Sequence, residues 1–184
     1  MRKLLFENFN FTGYGGAILW RENEGKLTNC NFINNTANKG GGGICWWGAN
    51  GILASCTFTD DFSNVNGGGV EWGGINGTII NSKFSYNTAN ENGGGIHWWG
   101  ANGTIIDSIF INNTSNKHGG GICWTASKGT ITGSNFSGNI AKGSAGGVSW
   151  WGANGTIIDS EFIGNIGNGN GGGVEWGANN GIII

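Results

Sequence analysis

The chain has 184 residues, of which 40 are glycine and none is proline, and only 11% are charged. The formal net charge is −2 with no basic run, which argues against a nucleic-acid partner, and no stretch reaches the ~18 apolar residues of a membrane-spanning helix. So much glycine is typical of disorder, but ten Trp and ten Phe recur at a fixed spacing, which favours an ordered fold.

The first residues resemble the charged start of a signal peptide, at Met1, Arg2 and Lys3. No apolar segment develops, because Glu7 and other polar residues follow at once. The last residues, 180–184, stop partway through a repeat. We therefore expect this chain to be one fragment of a longer repeat protein.

A repeat with a period of about 26 residues runs through the whole chain. One column is always Phe: Phe6, Phe32, Phe58, Phe84, Phe110, Phe136 and Phe162. Another is always Trp: Trp20, Trp46, Trp72, Trp98, Trp124, Trp150 and Trp176. An Ile/Val column stands two residues before each Trp, and a Leu/Ile column starts at Leu27. Glycine fills a fifth column, which predicts a turn with positive φ: Gly25, Gly51, Gly77, Gly103, Gly129, Gly155 and Gly181.

Within one repeat the constant apolar positions are two residues apart, as in Ile44 and Trp46, which indicates strands with one buried face. The pattern predicts an all-β parallel solenoid with about three short strands per coil and ~4.8 Å between coils. The seven coils are about 5–30, 31–56, 57–82, 83–108, 109–134, 135–160 and 161–184. A polar column predicts a side-chain ladder at one corner: Asn35, Asp61, Asn87, Asn113, Asn139 and Asn165.

These repeats carry a family resemblance. Phe32-Ile33-Asn34-Asn35 followed by Gly42-Gly43-Ile44 resembles the paired Phe-x-x-Asn and Gly-Gly-x-Ile repeats of the chlamydial polymorphic membrane proteins. The longer segment 84–106 is similar to repeats of adhesin-like surface proteins of methanogenic archaea. The resemblance covers all seven coils, weakening in the first, and implies a right-handed parallel β-helix displayed outside the cell with a role in adhesion. It implies no catalytic residue and no cofactor.

Eight Asn-x-Ser/Thr triplets fit an exterior setting, although an Asn- and Thr-rich chain also produces them by chance. They begin at Asn10, Asn34, Asn76, Asn102, Asn112, Asn113, Asn135 and Asn154.

Three Trp recur on every second coil one residue beyond the constant Trp column: Trp47, Trp99 and Trp151. We expect them to be exposed and ~9.6 Å apart, which is of the order of a disaccharide repeat. Flat aromatic rings stack on sugar faces, so these three residues are the candidate ligand-binding site. The alternative is that each Trp packs over the Gly of the neighbouring coil or against a missing partner domain.

The position between the buried Ile and Trp is expected to face solvent, and reads Leu19, Cys45, Glu71, His97, Cys123, Ser149 and Glu175. Cys, His and Glu are zinc ligands, and Cys beside His is also a nucleophile–base pair. A straight column spreads Glu71 and Cys123 ~9.6 Å apart, which argues against a closed metal site. We predict an ordinary exposed column, with no metal and no catalytic residue.

Two other faces suggest alternatives. Thr78, Thr104, Thr130 and Thr156 form a column that resembles an ice-binding surface, but Lys26, Ile52 and Ile182 interrupt it. Asp107 and Asp159 are two coils apart, a separation close to that of inverting glycosidases, but no further acidic residues cluster there.

Cys30 and Cys56 are stacked neighbours within disulfide range, while Ser fills the same column in later coils, which favours buried free thiols.

The sequence thus predicts a non-enzymatic, extracellular, adhesin-like rod without a cofactor. Its expected partners are glycans or another cell surface, with end-to-end association of rods as a further possibility. The alternatives are a carbohydrate-active β-helix enzyme, of lyase or glycosidase type, and a purely structural spacer.

Overall fold

A computed structural model describes residues 3–184, so the predicted signal-like start at Met1 and Arg2 lies outside the described residues. The fold is a parallel β-solenoid made of four seven-stranded sheets, and each coil contributes one strand to each sheet. The predicted period is therefore confirmed, but a coil holds four strands rather than about three. The additional strands are only two residues long. Between residues 3 and 184, no helix is long and apolar enough to cross a membrane.

The four sheets are named here by their inward-facing side chains. The Phe sheet contains Leu4–Glu7, Cys30–Ile33, Thr57–Thr59, Lys83–Ser85, Ile109–Ile111, Asn135–Ser137 and Glu161–Ile163. The Ala sheet contains Asn10–Phe11, Thr36–Ala37, Phe62–Ser63, Thr88–Ala89, Thr114–Ser115, Ile140–Ala141 and Ile166–Gly167. The Trp sheet contains Ile18–Trp20, Ile44–Trp46, Val70–Trp72, Ile96–Trp98, Ile122–Trp124, Val148–Trp150 and Val174–Trp176. The Ile sheet contains Lys26–Thr28, Ile52–Ala54, Thr78–Ile80, Thr104–Ile106, Thr130–Thr132, Thr156–Ile158 and Ile182–Ile183.

The sequence columns are columns in space, because every strand pairs in register with its counterpart in the next coil. Phe32 pairs with Phe58, and Trp46 pairs with Trp72. The core aromatic rings stack with centroids 4.6–4.9 Å apart and planes within 8° of each other. A coil cannot bury its own Phe and Trp faces, so the stability of each coil depends on its neighbours.

The glycine column that ends in Gly181 has a different role from the predicted one. The positive φ belongs to the residue before each glycine, for example Asn50 at 56° and Asn102 at 57°. The glycine itself is required because the ring of the core Trp packs directly on its Cα, as Trp98 does on Gly103. The prediction therefore placed the positive φ one residue too late in the chain. Asn can adopt it at the preceding position because Asn tolerates the left-handed conformation.

The predicted polar ladder is present and buried. Asn113 Nδ2 donates to Asn139 Oδ1 of the next coil at 2.9 Å and to the Phe84 carbonyl of the preceding coil at 3.0 Å, so each rung ties three coils together. The Cys30 and Cys56 column forms a second ladder, in which the Cys30 amide donates to Cys56 Sγ at 3.4 Å. Both thiols are free, as favoured by the sequence, and they take the places that Ser occupies in later coils.

Candidate functional site

The column between the buried Ile and Trp positions does not face solvent, which corrects the sequence prediction. Cys45 is fully buried, and Glu71 is only 7% exposed. The cause is the segment that leads into each Trp-sheet strand, because it folds across the outside of that strand. Gly40 packs against the Glu71 carboxylate, and Asn170 Nδ2 donates to Glu175 Oε1 at 3.1 Å.

This covered column brings Cys, Glu and His side chains together in pairs. Glu71 Oε2 lies 3.7 Å from Cys45 Sγ, and Glu71 Oε1 lies 3.6 Å from His97 Nδ1. Burial, followed by the nearby Glu71 carboxylate, raises the pKa of the Cys45 thiol well above its ordinary value. Burial also raises the pKa of Cys123 to about 12. Such thiols stay protonated near neutral pH, and reactive cysteines require the opposite shift. Among residues 3–184, no three His, Cys, Asp or Glu side chains are grouped so that they could hold a metal ion.

The three predicted site residues project from the same side of the solenoid, immediately after Trp-sheet strands. Trp99 and Trp151 are each 47% exposed, so nearly half of each side chain is open to solvent. Trp47 is half-buried. Its indole contacts the Tyr14 ring, with ring centroids 5.0 Å apart, and the Arg21 guanidinium, which lies 5.3 Å from the indole centroid. The expectation that all three Trp are exposed is therefore met at two positions.

Each of these indoles leans toward the coil before its own. Trp47 contacts Tyr14 of the first coil, Trp99 lies over Gly73 of the third, and Trp151 lies 4.9 Å from His118 of the fifth. The alternative of packing over a neighbouring coil thus holds for one face of each ring. Since the lean is the same in all three, the two-coil separation between rings is kept.

Amide groups follow the Trp positions at the adjacent corner. Asn76 Nδ2 donates to Asn50 Oδ1 at 3.0 Å, and Asn102 Nδ2 donates to Asn76 Oδ1 at 3.1 Å. These Asn side chains are exposed and stand three residues after the Trp position in each coil. Lys128 replaces Asn in the fifth coil. Aromatic faces beside fixed amide groups suit a ligand that offers both apolar faces and hydroxyl groups.

The two other candidate faces carry structural features. Asp107 and Asp159 are exposed turn residues with φ of 48° and 46°, in a column whose members all adopt positive φ. The Thr column that includes Thr104 and Thr130 lies in register on the outer face of the Ile sheet, and these Thr are partly buried.

Sequence reasoning did not identify the covering segment or the contacts of Tyr14 and His118 with Trp. A signal was present, since Tyr14 and His118 occupy one column, and each contacts the outer Trp of the coil that follows its own. That column also contains Gly40, Asn66 and Asn92, and its variability hides it in a search for constant positions.

Comparison with known proteins supports the repeat assignment. Residues 29–45, 81–97 and 107–123 match the Chlamydia polymorphic membrane protein repeat. Each matched segment runs from just before a Phe-sheet strand into a Trp-sheet strand, and so includes the Phe-x-x-Asn and Gly-Gly-x-Ile elements. No curated protein and no solved structure is significantly similar to the chain. The resemblance to the chlamydial repeat is confirmed, whereas the resemblance to methanogen adhesin-like proteins stays a prediction.

Proposed function

We propose that this chain is a non-enzymatic, extracellular repeat rod that binds glycans through Trp99 and Trp151, with Trp47 as a weaker third position. The observation that carries the proposal is the pair of indoles. Each is 47% exposed, and each directly follows the C-terminal end of a strand of the Trp sheet. Exposed aromatic residues of this size mark interaction surfaces. The matched repeat, described for polymorphic membrane proteins, supports placement at a cell surface.

The rigidity of the support strengthens the proposal. Trp98 and Trp150, the residues before the two exposed Trp, are fully buried members of the core stack. The Trp99 amide donates to the Trp72 carbonyl at 2.9 Å, and the Trp151 amide donates to the Trp124 carbonyl at 2.8 Å. Rings held on such a frame lose little conformational entropy when a ligand binds, which favours affinity.

A structural spacer is the second candidate, because Trp47 is covered by Tyr14 and Arg21 rather than freely displayed. In a spacer the outer Trp side chains contribute to stability and contact no ligand. End-to-end association of rods is compatible with either function and stays a prediction.

A glycan array distinguishes the two functions. The wild-type chain is compared with the triple variant Trp47→Ala/Trp99→Ala/Trp151→Ala and with Tyr86→Ala, which removes an exposed aromatic side chain that follows a Phe-sheet strand. Circular dichroism and the thermal midpoint establish that the variants are folded. Binding that the triple variant loses and Tyr86→Ala keeps supports the glycan-binding rod. An array without binding supports the spacer, and binding equal in all three proteins rejects the three Trp as the binding site.

A further inference from the structure

The separation of the two exposed indoles is set by the solenoid. Trp99 belongs to the fourth coil and Trp151 to the sixth, and the intervening coil carries Thr125 at the equivalent position. Parallel strands place equivalent residues two coils apart at ~9.6 Å, along the axis of the rod. The surface from Trp99 to Trp151, called the Trp99–Trp151 strip, therefore presents one ring, then a recess one coil wide, then a second ring.

Polysaccharides differ in how often they present the same face. In an extended β-1,4-linked chain of glucose-type sugars, successive units are turned over, so the repeat is a disaccharide and a given face returns at every second sugar. A chain lying along the rod axis would stack sugars n and n+2 on the two indoles, with sugar n+1 over the recess between them. Helical α-1,4-linked chains do not keep such a flat, straight ribbon.

The surroundings of the strip indicate an uncharged ligand. Thr125 and Asn102, beside the rings, are neutral and exposed. Glu71 is covered, and the Glu175 carboxylate is engaged by Ser149 at 3.0 Å and by Asn170. Lys128 is exposed at the neighbouring corner of the fifth coil, and Lys117, next to the His118 that contacts Trp151, is paired with Glu91 at 3.1 Å. Anionic polysaccharides are usually recognised by several basic residues, and this strip lacks such a set within the described residues.

We infer that the Trp99–Trp151 strip recognises an extended, neutral β-1,4-linked polysaccharide of the cellulose or chitin class, with its chain parallel to the solenoid axis. This inference rests on the proposed glycan-binding function and specifies its ligand. Recognition depends on the spacing of the rings, because Trp99 and Trp151 stack on alternate sugars. The side-chain amides of Asn76 and Asn102 lie at the adjacent corner and belong to the same surface.

Binding to insoluble polysaccharides tests the inference directly. Depletion of the full chain from solution is measured with microcrystalline cellulose and chitin, and with granular starch and a β-1,3-glucan as probes of different linkage. We expect binding to cellulose or chitin, and none or at least tenfold weaker binding to the other two. Trp99→Ala and Trp151→Ala should each weaken binding about tenfold or more, since truncation of a central aromatic contact has that effect.

A variant with a relocated Trp tests whether binding requires the spacing of the two rings or only the presence of exposed aromatic rings. Thr125→Trp/Trp151→Thr keeps the composition and the number of outer Trp but places two rings on adjacent coils, ~4.8 Å apart. We expect it to bind as weakly as Trp151→Ala. Because Thr125→Trp could disturb folding, Trp151→Phe serves as a second variant, which keeps a ring at the original spacing and should retain binding.

The possible failures are distinguishable. Equal binding by the relocated variant, or equal binding to starch and cellulose, overturns the inference about linkage. Trp-dependent binding to other glycans on the array, without binding to cellulose or chitin, also overturns it and leaves the glycan-binding function standing. If no glycan is bound in a Trp-dependent manner, both proposals fail.

Discussion

Asp61 is the one acidic residue in the buried Asn ladder, and its replacement by Asn is predicted to stabilise the protein. Its Oδ1 accepts hydrogen bonds from the Asn35 amide and from Asn35 Nδ2, both at 2.8 Å. Its Oδ2 is buried without a partner. In the next rung Asn87 Nδ2 donates to the Phe58 carbonyl at 3.1 Å, and the same repeat geometry places Asp61 Oδ2 opposite the Phe32 carbonyl. The carboxyl group can therefore donate to this carbonyl only when it carries a proton.

The pKa of Asp61 gives the size of the effect. Burial raises this pKa from 3.8 to about 8, against the lowering effect of the Asn35 hydrogen bonds. Between these two values the folded state binds a proton that the unfolded state has released, so stability is complete below about pH 4 and falls as pH rises toward 8. One pKa unit corresponds to about 1.4 kcal/mol, so the loss reaches roughly 4 kcal/mol at pH 7. Asp61→Asn removes this loss and supplies the missing donor.

Urea unfolding, followed by Trp fluorescence at several pH values from 4 to 8, measures the difference between wild type and Asp61→Asn. The two curves should nearly coincide at pH 4 and separate steadily up to pH 8, with Asp61→Asn the more stable. Asp60→Asn is the matched control, because Asp60 is the exposed neighbour and should show little pH-dependent gain. A stability difference that does not change with pH, or an Asp61→Asn variant less stable at pH 7, would refute the assignment of a neutral carboxyl group.

Three further predictions concern packing, the thiols and modification. Gly103→Ala should destabilise the fold by about 1–3 kcal/mol in urea unfolding because its methyl group meets the Trp98 ring, while Gly173→Ala, with ordinary contacts, should be nearly neutral; equal effects would contradict this packing role. The four buried cysteine thiols should not react with an aromatic disulfide reagent until urea unfolds the chain, and a thiol that titrates in the native protein would contradict their burial. In a host that attaches N-glycans to folded surfaces, peptide mass mapping should find glycan at exposed Asn112 and none at buried Asn113, and modification of Asn113 would contradict the ladder.

The fold could be predicted from the sequence because its determinants are strictly periodic. The Phe and Trp columns keep one residue type in all seven coils, and parallel stacking is the arrangement that brings identical residues together at strand spacing. The Asn ladder could be predicted for the same reason. Its one exception, Asp61, keeps the hydrogen bonds of the ladder to Asn35.

Burial on the outer side of the Trp sheet could not be predicted by the same means. Alternation predicts which side chains point away from the core, but whether another segment then covers them depends on the path of the chain. Cys45 points outward and is buried, because the bridged segments that contain Tyr14 and Gly40 cross over this side of the sheet. The partial covering of Trp47 has the same origin, whereas Trp99 and Trp151 keep nearly half of their surface open.

Titration with soluble β-1,4-linked oligosaccharides of two to six sugars tests most directly whether Trp99 and Trp151 act together as one binding strip. We predict a step in affinity between the disaccharide and the trisaccharide, because three sugars are the shortest chain that reaches both rings. Trp151→Ala should abolish that step while leaving weak binding at Trp99. An affinity that is the same for two and three sugars in the wild-type protein, or a step that persists in Trp151→Ala, would contradict the two-coil strip.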